Sequence, residues 1–511
     1  MNRFKVSARL AQLLRRYRSE EEGSILLFSL ILLFMMVLVG GLAVDVMRHE
    51  EKRVLLQQTL DRSVLAAASL SQEHDPTEVV NDYFEKANLL EYLSGVDVSE
   101  GLNFRTVTAD AQADAEPFFM HLMGIDKFEV AADSTADERI SNVEVSLVLD
   151  ISGSMNGSRI NNLRPAARSF VDTVMNASDP GKVTMSIVPY SAQVNLGPDL
   201  MAQFNATKIH DYSYCLELPD SVFSTTTLSQ STSLVHNGHF DPFNNATTSS
   251  LFNCTHYTAN HVNPISDSAT ALKSTITNMV VGGNTSIDLG VKWGALLLDP
   301  ASQGITAGLI SRGKVAATYS NRPLDSGEID TLKVLVVMTD GENTTEYKLK
   351  SPYNTAGLSN VWTTSGGTIY AFHDRSGTSS DYYRISDGKW YTKPTGVTNM
   401  TWPAVFQKYT TYYVAYNMYA RPLGGSTSTY ENNMVSSVSS TKNTRLQQIC
   451  SAAREAGIVI YGIAFEAPSN GQTQIKNCAT SDAHYYNANG LEISTVFNAI
   501  ANQISYLRLT Q

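Results

Sequence analysis

Between Ser24 and Val44 the chain reads SILLFSLILLFMMVLVGGLAV, without one charge. Coiled as a helix, this stretch rises ~30 Å, the thickness of a bilayer's hydrocarbon core. No globular fold easily absorbs so long an apolar run near its start, so it constrains everything that follows. Ahead of it, in the basic segment 1–22, stand Arg3, Lys5, Arg9, Arg15, Arg16 and Arg18. Cationic residues stay on the cytoplasmic side, which predicts one transmembrane helix over 23–45, a cytoplasmic amino terminus and an extracytoplasmic remainder. A cleaved signal peptide is the rival reading, with Gly41-Leu42-Ala43 at a possible cut. The long basic region and long apolar run favour a retained anchor. Leu10, Leu13, Leu14 and Tyr17 fall at helical spacing among arginines, either as a helix lying on the anionic inner leaflet or as a plain tether.

The remaining composition is that of a folded protein. Of the 511 residues 43% are apolar and 17% charged, enough apolar matter for a core, and a mean hydropathy of −0.14 excludes a multi-span transporter. The net charge of −11 argues against nucleic acid as a partner. Four cysteines leave room for two bridges, and an extracytoplasmic setting would oxidise them.

After the span, VDVMRHEEKRVLLQQTLDRSVLAAASL has no Gly or Pro, so the helix is expected to run on to about Leu70. Leu55, Gln58, Arg62 and Leu65 fall near one face, and Ala66, Ala67 and Ala68 permit close approach of a partner helix. The segment GSILLFSLILLFMM…GLAVDVMR…LLQQTLDRSVLAAA resembles the amino-terminal part of TadG-like proteins of tight-adherence (Flp) pilus assembly. Small pseudopilins of such systems carry a Glu five residues after the processing glycine. Here Gly23 is followed by Ser24, Ile25, Leu26, Leu27 and Phe28, which again favours a retained anchor. Residues 46–140 then read as that helix plus a small α/β region, with no cluster that suggests chemistry.

Chemistry enters further on. VEVSLVLD (143–150) is a buried strand that ends in Asp150-Ile151-Ser152-Gly153-Ser154 and leads into a helix. LKVLVVMTDGEN repeats the pattern, with a strand over 332–338 and Asp340-Gly341 at its end. Between them, VGGNTSIDLGVKWGALLL offers a Gly-Gly turn, Thr285 and a helix. Polar loops at the carboxyl ends of parallel strands are where open α/β sheets bind ligands. Two carboxylates and three hydroxyls are hard oxygen donors that suit Mg²⁺ or Mn²⁺. The set resembles the von Willebrand factor A domain and its metal-ion-dependent adhesion site. DxSxS falls on Asp150, Ser152 and Ser154, the later Thr on Thr285 and the final Asp on Asp340. The resemblance implies that Ser152, Ser154 and Thr285 touch the metal directly or through water, and that Asp150 and Asp340 hold it through coordinated waters. A position left open would take an acidic group from a partner.

The expected fold is therefore α/β: a transmembrane helix, a small membrane-proximal α/β region, and a doubly wound (Rossmann-like) A domain over 141–511. KVTMSIVPYSAQVNL (182–196) reads as a strand followed by an edge hairpin, and GIVIYGIAFE (457–466) as another buried strand. The ending, a short strand and a long helix, again resembles TadG-like chains. Insertions are expected at about 197–265, rich in Ser, Thr and Asn, and at 347–441, which holds half of the 24 tyrosines. Those tyrosines either form a recognition surface or fill a small subdomain's core. Compartment and spacing predict the bridges Cys215–Cys254 and Cys450–Cys478, each within one region. His236 and His239 form an HxxH without an acidic or Cys partner and read as loop histidines. No nucleophile–base pair or phosphate loop is present, so no enzyme is expected. By resemblance, the chain is an inner-membrane component of tight-adherence pilus assembly. Its partners would be pilus-assembly or pilin proteins, or a surface ligand offering a carboxylate. A surface adhesin for host or matrix molecules and a metal-dependent hydrolase are the alternatives.

Overall fold

The structure, a computed structural model, describes residues 21–69, 72, 74–101, 104–139, 142–176, 181–325 and 331–505. The basic residues of segment 1–22 named above and the last residues of the chain lie outside these. The chain forms two compact units, Met1–Arg139 and Ile140–Gln511.

In the first unit, α1 (Glu21–Ala68) carries the apolar run and continues far beyond it. It is followed by α2 (Pro76–Lys86), β1 (Leu93–Gly101), β2 (Phe104–Ala115) and β3 (Phe128–Arg139). α2 starts where it does because the Asp75 carboxylate accepts from Thr77 N and Glu78 N and Pro76 takes the first turn. The strands form an antiparallel sheet in the order β1-β2-β3. Val107, Ala109, Ala111 and Ala113, every second residue of β2, are buried under α1. Leu55, Gln58, Arg62 and Leu65 do share one face of α1, and it is the exposed one. Leu56, Leu60, Val64 and Ala67 lie inward, while Leu55 and Leu65 are exposed. The i, i+4 row Leu56-Leu60-Val64 has the apolar side chains, and the small alanines of β2 let it lie close to the sheet.

The second unit follows the chain order β4 (Asn142–Asp150), α3 (Ser158–Asn176), β5 (Val183–Tyr190), β6 (Asn263–Ser266), α4 (Ala269–Asn278), α5 (Ile287–Leu296), α6 (Gln303–Ser311) and β7 (Thr331–Thr339). After the second insertion come α8 (Lys442–Glu455), β15 (Val459–Phe465), α9 (Ser469–Cys478), β16 (Tyr485–Ala488) and α10 (Glu492–Ser505). The strands make one six-stranded sheet, β16-β15-β7-β4-β5-β6. All pairings are parallel except β5–β6. α3 packs with α4 and α10, and α5 with α8. β4, β5 and β7 are buried nearly end to end, as a sheet covered on both faces requires. This is a doubly wound arrangement, and the winding reverses between β4 and β7.

One expectation fails at the sheet edge. No hairpin follows β5. Instead Ser191 N turns back onto Gln193 O, and the antiparallel edge strand β6 arrives only after the first insertion.

The second insertion is stemmed by β8 (Glu346–Leu349) pairing antiparallel with β14 (Val435–Val438). It holds β9 (Leu358–Thr364), β10 (Ile369–Phe372), β11 (Tyr382–Arg384), β12 (Lys389–Tyr391) and β13 (Val397–Thr401) in a five-stranded sheet, followed by α7 (Trp402–Lys408). Of its tyrosines, Tyr370, Tyr382, Tyr383 and Tyr409 are buried, while Tyr416 is exposed.

Candidate metal centre

Asp150 is the last residue of β4, and Asp340 directly follows β7, its neighbour in the sheet. Both carboxylates therefore stand at the carboxyl edge, at the point where the winding reverses. Asp150 is fully buried. Its Oδ1 accepts from Ser152 N at 2.8 Å, and its Oδ2 accepts from Thr339 Oγ1 at 2.8 Å. Ser152 Oγ lies 3.0 Å from Ser154 Oγ, which donates to Asp340 Oδ1 at 2.8 Å. The DxSxS loop thus reaches across to the second carboxylate through one hydroxyl.

Thr285 comes from the loop before α5. Gly153 N donates to Gly283 O at 2.9 Å, and Gly282 N to Ile151 O at 2.8 Å, so this loop is tied to the DxSxS loop. Gly283 has φ +85°, which favours glycine there. A methyl added at Gly341 would stand 3.5 Å from Thr285 Oγ1 and 3.9 Å from Ser154 Oγ, so both hydroxyls border the same point. Thr344 locks the third loop in place, accepting from Thr285 N at 2.8 Å and donating through its own N–H to Thr285 O at 2.9 Å. All five residues singled out in the sequence therefore gather at one edge of the sheet.

Burial, and next the charge of Asp340, push the Asp150 carboxyl up to about 7. Asp340 is also shifted up by burial, against hydrogen bonds from Ser154 and Arg159. Two carboxylates held close with little solvent are poor anions alone and good ligands for a cation. Arg159 serves one of them: its Nη1 donates to Asp340 Oδ2 at 2.7 Å and its Nε to Glu466 Oε2 at 2.8 Å. Glu466 in turn accepts from Gly490 N. Arg159 and Glu466 cancel in charge, so the pair Asp150 and Asp340 keeps its negative excess. Among the described residues, no group of three or more His, Cys, Asp or Glu side chains is placed to hold a metal. The donor set here is two carboxylates with hydroxyls, hard oxygens that suit Mg²⁺ or Mn²⁺.

Sequence reasoning missed the supports. Lys442 Nζ donates to Thr285 O at 3.2 Å and to Ser286 Oγ, and stands 3.7 Å from Asp288 Oδ1. Arg445 Nη1 reaches Asp288 Oδ2 at 3.6 Å and Glu346 Oε2 at 3.0 Å. These four charges are buried and sum to zero, so removing one would leave a buried charge uncompensated, at about 3–5 kcal/mol. No local signal marks them, since Asp288 and Lys442 are far apart in sequence. Arg159 was the findable one, a cation one helical turn beyond DxSxS.

The cysteines pair as Cys215–Cys254 and Cys450–Cys478. Of the HxxH pair, His239 lies in a loop and His236 ends a two-residue strand. His236 and His239 are buried; His236 Nε2 meets Ser213 O at 2.9 Å, and His239 stacks on Phe252 with centroids 3.8 Å apart. A cavity of about 500 Å³ lies between the Gly197–Leu200 turn, β6 and Leu309, and shares no residue with the oxygen-donor site.

Residues 23–70 match the family model Tad, described as putative Flp pilus-assembly TadE/G-like, so the amino-terminal segment is similar to that family. No curated protein matches the chain. Among solved structures it is similar to the vWF domain of the type V pili tip protein Mfa5 from Porphyromonas gingivalis. That likeness has 13% identity over 73% of this chain and 98% of that one, with a TM-score of 0.31. The pilus adhesin SpaC from Lactobacillus rhamnosus GG gives 11% identity and a TM-score of 0.30, over 80% of this chain. The chain covers only 34% of SpaC. The adhesive tip pilin GBS104 from Group B Streptococcus agalactiae gives 12% identity over 71% of this chain and all of that one, with a TM-score of 0.30.

Proposed function

We propose that this chain is an inner-membrane-anchored component of a tight-adherence pilus assembly system that binds protein partners through a divalent cation. The supporting observation is the convergence of Asp150, Ser152, Ser154, Thr285 and Asp340 from three loops onto one edge of the sheet. The TadE/G-like segment supports the pilus setting. Ser152, Ser154 and Thr285 would hold Mg²⁺ or Mn²⁺ directly or through water, with Asp150 and Asp340 ordering its waters. When bound, the cation supplies Lewis acidity toward an acidic group offered by a partner. Thr339 and Arg159 fix the two carboxylates, and Lys442 fixes the Thr285 loop, so the donors are oriented before any ligand arrives.

The test is calorimetry of the purified full chain. One Mg²⁺ should bind and raise the melting temperature by mass action on the folded state. Asp150→Ala should abolish binding, whereas Ser152→Ala or Thr285→Ala should weaken it less, each removing one neutral ligand that water partly replaces. Circular dichroism should stay native in EDTA, because buried strands hold the sheet. In-cell crosslinking should recover pilus-assembly or pilin partners that the Asp340→Ala variant loses. No divalent-ion binding at millimolar concentration, or an Asp150→Ala variant that binds like wild type, would refute the proposal.

A further inference from the structure

The loop between β2 and β3 is apolar and exposed. Phe118 is 68% exposed, Met123 66% and Ile125 37%. Such a surface on a polar-rimmed domain marks an interaction site, and α1 dictates where it lies. Asp45 is the first charged residue after the apolar run, and its buried carboxylate accepts from three successive backbone N–H groups of this loop. The distances are 2.9 Å to Phe118 and 2.8 Å to both Phe119 and Met120.

The next side chain fixes the depth. The Phe119 ring lies directly on Gly41: a methyl added to Gly41 would sit 2.3 Å from the ring, so no other residue fits there without displacing it. Gly41 belongs to the uncharged run and precedes its last residue, Val44, by three positions, or about 4–5 Å along a helix axis. A loop whose phenylalanine rests on Gly41 is held level with the end of the hydrocarbon-spanning stretch. Its exposed side chains continue the lipid-facing surface of α1, where Val44 and Val46 are also exposed. Arg48 lies over the Phe118 ring at 4.3 Å, an aromatic body with a cationic cover. That pairing suits the boundary between acyl chains and headgroups.

We propose that the 117–125 loop is a second membrane contact, seated in the interface of the leaflet from which α1 emerges, with lipid as its occupant. It rests on the reading of α1 as a retained anchor. The Asp45 carboxylate is the clamp that holds the loop at that depth, and Gly41 is the seat for its deepest ring. The unit is then held to the bilayer at two places, which restricts its tilt about α1.

The four native cysteines are bonded in two pairs, so a single introduced cysteine is the only thiol available to a spin label. Full-length chains carrying Leu33→Cys, Phe118→Cys or Leu358→Cys would be labelled and reconstituted in phosphatidylethanolamine–phosphatidylglycerol vesicles. Accessibility to oxygen and to a water-soluble nickel chelate is then read at each position. The label at position 33 should favour oxygen strongly, and the label at position 358, an exposed site in the second unit, should favour nickel. The label at position 118 should favour oxygen several-fold over position 358. A label at 118 as open to nickel as the one at 358, while position 33 stays in lipid, overturns the loop contact and leaves the anchor standing. A label at 118 shielded from both reagents means that protein covers the loop, and it also overturns the lipid assignment. A nickel-accessible label at 33 overturns the anchor and the loop contact together.

Discussion

The two insertions of the second unit are held together by different means. From Gly197 to Val262 the first has one ladder of two residues a side, Leu216–Glu217 with Val235–His236. Its apolar side chains Leu216, Phe223 and Leu234 are spent on the main core of the sheet domain. Apart from Phe240, much of what is buried in the rest of it is polar: His210, His236, Asn237, His239, Asp241 and Asn253. Many of these bond to backbone, as Asp241 does to the N–H groups of Phe243, Ser250 and Leu251. The Cys215–Cys254 bridge closes this region. The second insertion has no disulfide; it has its own sheet and a core of Trp402, Phe406, Val405, Tyr383, Tyr409 and Met418, into which the first insertion sends only Phe240. A segment that lends its apolar residues to its host needs covalent closure, while one that keeps them holds itself together.

The sharpest way to break this comparison is Trp402→Ala. Trp402 is 5% exposed and packs on Phe406 and Tyr353, so its loss should cost about 3–5 kcal/mol. Hydrogen exchange should then quicken most across 346–438 and in 197–262 only around Phe240 to Ser249, which meet that core and the backbone of Lys408. Cys215→Ser with Cys254→Ser should cost somewhat less. The bridge spans 39 residues in sequence, and closing a loop of that size is worth about 4 kcal/mol before native-state strain reduces it. Here the quickened exchange should fall in 197–262. If both regions loosen together, the two insertions share one support and the distinction fails.

Acid should sharpen the contrast. Burial, followed by neighbouring histidines, pushes His210 down to about 4 and His239 to about 2; burial also lowers His236. Unfolded histidines titrate near 6.5, so below about that pH the unfolded chain binds more protons than the folded one. The stabilisation is complete above about 6.5 and is lost as the pH falls toward the folded values. Glu217, pushed up to about 7 by burial, works in the opposite sense but is one group against five, since burial lowers His256 and His261 too. Lowering the pH from about 7 to about 5 should therefore drop the urea midpoint of the first insertion. The second, which holds only His373, should move less. The smallest effect is expected for Tyr416→Ala. That ring is 43% exposed, so the variant should change stability by less than about 0.5 kcal/mol. A larger drop in thermal melting would mean that Tyr416 belongs to the core.

Legibility in the sequence followed distance along the chain. The strands ending in Asp150 and Thr339 were readable because a strand covered on both faces is a local apolar run. DxSxS was readable because its members are neighbours. The span was readable for the same reason. The edge strand Asn263–Ser266 was not, because it is short, contains Pro264, and pairs with residues on the far side of a long insertion. Which face of α1 is buried was not legible, because Leu55 and Leu56 differ only in what they meet, and the alanines of β2 make that choice. The Lys442–Asp288 and Arg445–Glu346 contacts join residues about a hundred or more positions apart, and nothing in either local sequence points to the other.

The β8–β14 ladder sets Glu346 opposite Val438 and Leu349 opposite Val435. The second insertion therefore leaves and rejoins the chain at adjacent points, a few residues beyond Asp340. For heredity this is a cassette boundary. A recombination event that exchanges everything between those two strands would hand the protein a different outer surface while leaving the oxygen donors and the six-stranded sheet unaltered. The outer surface and the sheet beneath it can thus change at different rates.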